Sequence, residues 1–104
     1  MFGAINAKQL RDKLGKVTLV DIRTPEEFSR GYIMTAISVR MFELDDLVGR
    51  VDPEKEIVVY GRCARTGAKA AHRLINLGFK RVNVLKGARG GWPYGVQRKA
   101  IVDE

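Results

Sequence analysis

The run Glu56-Ile57-Val58-Val59-Tyr60 limits the fold more than any other part of the chain. Three consecutive β-branched residues in an unbroken apolar stretch suit a strand covered on both faces, as in a parallel sheet. A polar connection follows, Gly61-Arg62-Cys63-Ala64-Arg65-Thr66-Gly67, and then Ala68 to Leu77 reads as the longest helix, stopped by Gly78. Ala71, Leu74, Ile75 and Leu77 are its available packing residues.

The same strand-then-helix unit recurs along the chain. Val17-Thr18-Leu19-Val20-Asp21-Ile22 is a second buried strand, and Ile37-Ser38-Val39 and Val82-Asn83-Val84-Leu85 are shorter ones. Asn6 is a good N-cap for a helix that Gly15 stops, with Leu10 and Leu14 as its apolar stripe. Thr24-Pro25-Glu26-Glu27 starts another: a threonine cap, proline at the first helical position and a capping-box glutamate. Met41 to Val48 predicts a further short helix with Leu44, Leu47 and Val48 turned inward. Strands alternating with helices argue for a parallel sheet with helices on its faces.

A length of 104 residues suits one domain, taken as 1–104 with a core over about 4–94 and a peripheral tail over 95–104. No apolar run approaches the roughly 20 residues of a membrane-spanning helix, and the N-terminus lacks the apolar region of a secretory signal. The single cysteine, Cys63, excludes an internal disulfide, and a reducing, cytoplasmic setting is expected. Lysine and arginine total 19 against 12 acidic residues, a formal charge of +7. That excess favours anions, either a small oxyanion or an acidic partner. The basic residues are scattered and form no nucleic-acid-binding motif, which argues against nucleic acid. No His, Cys and carboxylate spacing suggests a metal site, and nothing points to an organic cofactor.

The connection after Tyr60 is the candidate site. It runs from the end of a buried parallel strand to a helix start, the edge where open α/β sheets hold ligands. The first N–H groups of that helix lack partners and carry partial positive charge. Arg62, Arg65 and Lys69 add three cations nearby, and Gly61 and Gly67 permit a close turn. A cysteine in such surroundings has a lowered pKa and is reactive as the thiolate.

Several blocks carry a family resemblance. Val17 to Arg23, then Glu27-Phe28 and Gly31-Tyr32-Ile33, resembles the opening signature of the rhodanese family. Ile57 to Tyr60 resembles the strand before that family's active-site loop, Ala68 to Phe79 the helix after it, and Leu85-x-Gly87-x-x-x-x-Trp92 its closing signature. The resemblance implies a three-layer α/β fold, a five-stranded, mostly parallel sheet flanked by helices on both faces. It also implies a sulfurtransferase. A cysteine thiolate takes the outer sulfur of thiosulfate or a related donor as a persulfide and passes it to a thiophilic acceptor. On that reading Cys63 is the catalytic residue, and Gly61, Arg62, Ala64, Arg65, Thr66 and Gly67 bind the anion. The partners are a small sulfur-containing anion or a thiol, with room for a protein partner.

The loop departs from the family pattern Cys-Arg-x-Gly-x-Arg-Ser. Placed without a gap, Gly61 falls on the nucleophile position, Ala64 replaces the glycine, Thr66 replaces the second arginine, and Cys63 comes two residues late. A side chain at that point is expected to point away from the loop's centre. A second reading follows: a catalytically inactive module that binds a small oxyanion or a protein partner. A dual-specificity-type phosphatase would also need the early cysteine and the late arginine, and both are absent. Elsewhere Tyr32 stands for the usual histidine, Thr35 for glycine and Arg40 for proline, changes expected to alter packing and entrance more than chemistry. Asp21 and Arg23 match the family and are expected to anchor a loop. His72 is expected at the surface, away from the loop, and Trp92 in the packing.

Overall fold

The structure, a computed structural model, describes residues 1–99; the final part of the expected tail, 100–104, lies outside the described residues. Five parallel strands form one sheet in the order β1-β5-β4-β2-β3. They are β1 (Gly3–Ile5), β2 (Thr18–Asp21), β3 (Ile37–Ser38), β4 (Ile57–Tyr60) and β5 (Val82–Leu85). The central strand is β4, all four of its residues buried. The helices are α1 (Ala7–Lys13), α2 (Pro25–Arg30) and α3 (Ala64–Asn76), joined by 3-10 segments at Met41–Leu47 and Arg89–Gly91.

The pleat of each strand sorts its residues between two cores. Val20, Ile57, Val59 and Val84 face one layer, where they meet Leu44 and Leu47 of the long 3-10 segment and Ala70, Ala71 and Leu74 of α3. Leu19, Val58, Tyr60 and Leu85 face the other, with Leu10 of α1, Phe28 of α2 and Trp92. The sheet is therefore the middle of three layers.

Local chemistry sets the helix starts. The Asn6 side chain accepts from the Gln9 N–H and Gln9 returns a bond to the Asn6 N–H, closing a capping box at α1. Thr24 and Glu27 do the same at α2. Four details differ from expectation. Gly3–Ile5 is an edge strand paired with β5, in a stretch whose glycine and alanine carry no strand signal. The segment at Met41 is a 3-10 helix ending at Leu47, so Val48 is exposed rather than turned inward. The helix α3 begins at Ala64, four residues before Ala68. The described part of the tail is tied down: Gln97 bridges Tyr32, and the Lys99 N–H reaches the Ser29 carbonyl at 3.1 Å. Thr35, at the usual glycine position, has φ +74°, a left-handed conformation that a β-branched residue rarely takes. Among the described residues no helix is long and apolar enough to cross a membrane.

Candidate functional site

Parallel strands deliver their C-terminal ends to one edge, and there a cavity of about 340 Å³ opens. Ile22, Arg23, Thr24 and Glu27 line it from the end of β2 and the start of α2, Arg40, Met41 and Phe42 from beyond β3, and Arg62, Cys63 and Thr66 from beyond β4.

The early start of α3 shortens the expected loop to Gly61, Arg62 and Cys63. Cys63 is the N-cap of a 13-residue helix, and Ala64, Arg65, Thr66 and Gly67 are its first turn. The Cys63 Sγ lies 3.1 Å from the Thr66 Oγ1. That hydroxyl, then the Thr66 N–H and the Arg65 N–H, hold the exposed thiol below its ordinary pKa. The group is thus a thiolate over a wider pH range, and the thiolate is lost as pH falls through the lowered value. Thr66→Val removes the hydroxyl, so the pH midpoint for Cys63 alkylation by iodoacetamide is expected to move up. An unchanged midpoint would separate Thr66 from the thiol's ionisation.

Gly61 and Gly67 permit the close turn expected of them. Both are buried, and they let the end of β4 and the first turn of α3 pack backbone to backbone. A Cβ built on Gly61 would stand 2.9 Å from the Thr66 Cβ and 3.3 Å from the Gly67 N; one on Gly67 would stand 3.0 Å from Val84 Cγ1. Of the expected anion-binding residues, Arg62 and Thr66 line the cavity with Cys63. Gly61, Ala64, Arg65 and Gly67 do not. The Arg62 guanidinium Nε pairs with Glu27 Oε2 at 3.1 Å. The Thr24 N–H chiefly, with the Thr24 hydroxyl and Arg62, holds the Glu27 carboxyl below its usual range.

Arg23 in the cavity wall forms an ion pair with Asp21. Asp21 is fully buried. Its carboxylate accepts from the Arg23 N–H at 2.9 Å and from the Arg23 guanidinium at 2.8 and 3.1 Å. Arg23 Nη2 also donates to the Gly31 carbonyl at 2.6 Å, and Arg89 Nε donates to the same oxygen at 3.1 Å. Tyr60 accepts from the Ile33 N–H, and burial, together with the neighbouring Asp21, pushes its phenol well above the usual range. His72 lies on the outer face of α3 against the edge of Phe2, and Trp92 is buried with its indole N–H on the Gly95 carbonyl. Arg40 was expected only to alter packing and the entrance, and Glu27 and Phe42 were not expected in the wall at all; the convergence of three strand ends brings them to the cavity that Cys63 lines.

Comparison with known proteins agrees with this architecture. The rhodanese-like domain family matches residues 6–93. A sulfurtransferase of Allochromatium vinosum is 30% identical over 95 residues, spanning 88% of this chain and 89% of the relative. The putative sulfurtransferase YtwF of Bacillus subtilis is 30% identical over 91 residues, spanning 85% of this chain and 87% of its own length. The crystal structure of a rhodanese-like domain protein from Staphylococcus aureus superposes with a TM-score of 0.81 at 27% identity, covering 95% of this chain and all of that one. With the family model matched over residues 6–93, relatives aligned over most of its length and a solved rhodanese-like domain superposing over 95% of it, the chain belongs to the rhodanese-like domain family.

Proposed function

We propose that the protein is a sulfurtransferase in which Cys63 carries the sulfur from a site two residues beyond the family's usual position. The observation that carries this reading is the hydrogen-bonded thiol: Cys63 Sγ at 3.1 Å from the Thr66 hydroxyl, at the start of α3, on the wall of the cavity. A thiolate in that position needs no separate base. It attacks the outer sulfur of thiosulfate, an Sγ–S bond forms, the S–S bond of the donor breaks, and sulfite leaves with the electron pair. A nucleophilic acceptor such as cyanide then takes the outer sulfur and returns the cysteine as thiolate.

The anion enters a cavity whose ionisable lining, among the described residues, is three arginines, one carboxylate and the Cys63 thiol. The helix start adds partial positive charge from its unpaired N–H groups. Both features favour a small oxyanion donor over a neutral one.

Intact mass spectrometry tests the reading. After thiosulfate treatment the chain, with Cys63 its single thiol, is expected to be one sulfur atom heavier, and cyanide is expected to strip that atom as thiocyanate. A chain that alkylates normally at Cys63 yet takes no sulfur from thiosulfate or from polysulfide would overturn the carrier role. The anion-binding module would then be the better reading.

A further inference from the structure

Three arginines line the cavity, and two of them are committed. Arg23, with a side chain only 9% exposed, is held by Asp21 and the Gly31 carbonyl. Arg62 is paired with Glu27. The Arg40 guanidinium has no carboxylate partner among the described residues; it lies 5.6 Å from the centre of the Phe42 ring, which props it from one side. Arg40 follows β3 and Cys63 follows β4, and β2 lies between those strands. Arg40, the cation of the lining left uncommitted among the described residues, therefore reaches the cavity from a different element than the thiol does.

We infer that Arg40 is the donor-selecting residue of this site: it holds the oxyanion head of the sulfur donor while Cys63 attacks the outer sulfur. The inference rests on the sulfurtransferase reading for its chemistry. In thiosulfate the sulfonate oxygens sit on the sulfur that departs, and they carry negative charge both before and after the S–S bond breaks. A guanidinium that grips them binds substrate and transition state alike, so it acts on KM more than on kcat. The planar fork also suits an oxyanion better than an ammonium does, although the lysine variant keeps the charge.

The test uses two readouts and the variants Arg40→Gln and Arg40→Lys. Lys16→Gln, an exposed position before β2 at the far end of the sheet, controls for net charge. In Arg40→Gln the KM for thiosulfate is expected to rise roughly tenfold with little change in kcat, the pattern of lost uniform binding. Arg40→Lys recovers part of that loss. Alkylation of Cys63 gives the second readout, as the rate with anionic iodoacetate divided by that with neutral iodoacetamide. Arg40→Gln is expected to lower this ratio several-fold, and Lys16→Gln to leave it near the parent value. If Arg40→Gln behaves like Lys16→Gln in both readouts, the assignment is wrong. If thiosulfate never loads Cys63, the sulfurtransferase reading fails, and the alkylation ratio still decides whether Arg40 draws anions to the thiol.

Discussion

Cys63→Ala is expected to abolish sulfur loading, and adding Gly61→Cys to the same chain is expected not to bring it back. Loss of the carrier lowers thiosulfate turnover by more than about 1,000-fold, as removal of a covalent nucleophile does. The double variant restores a thiol at the position where the family pattern has one, so its failure is the informative result. A Cβ at position 61 meets the Thr66 Cβ at 2.9 Å, the Gly67 N at 3.3 Å and Ile22 Cδ1 at 3.4 Å. Something in the first turn of α3 must shift to admit it, a strain of about 1–3 kcal/mol of the kind that overpacking brings. The sulfur would also start from a buried position beneath that turn rather than from the cavity wall. Thiocyanate release by the single and double variants, with thermal unfolding to record the strain, checks both parts. Turnover near the parent level in Gly61→Cys with Cys63→Ala would mean that the turn yields easily and that the thiol's displacement has no consequence.

Arg23→Met is expected to be the most destabilising single change near the site. It leaves the Asp21 carboxylate fully buried with no cation. Removing one partner of a buried pair costs about 3–5 kcal/mol, a large part of the roughly 5–15 kcal/mol that holds a domain together. The melting temperature should fall by more than about 12 °C. The double change Asp21→Leu with Arg23→Met removes the stranded charge and is expected to regain part of the loss. Urea titration of the three proteins measures it. A drop below about 1 kcal/mol for Arg23→Met would show that water reaches the carboxylate, since the penalty exists only where solvation is lost.

The sequence revealed those features whose signals are local. The caps at Asn6 and Thr24 act over residues three apart, and both caps were readable, as was the box that Glu27 closes at Thr24; the box that Gln9 closes at Asn6 came only with the structure. The pair Asp21 and Arg23 is likewise a short-range contact within one strand end. The start of α3 was hidden because its cap is a cysteine, outside the usual set of Ser, Thr, Asp and Asn, and because Gly67 inside the first turn resembles loop. Strand β1 was hidden because its partner β5 lies about 80 residues further along, and Gly3-Ala4 has no preference that announces the pairing. Arg40 and Phe42 could not be placed by spacing at all. Their nearness to Cys63 follows from strand order, a property of the whole sheet.

The Gly31 carbonyl receives both Arg23 and Arg89, and the Arg89 N–H in turn donates to the Gly61 carbonyl at 3.3 Å. One peptide oxygen so ties the opening segment, the closing segment and the turn below the thiol into a fixed floor. A cysteine that lengthens by one atom during turnover cannot press downward against it. The extra sulfur has to be accommodated on the open side, in the cavity that Cys63 and the exposed Phe42 line. Loaded and unloaded forms should accordingly share one backbone and differ only within the side chains that line the cavity.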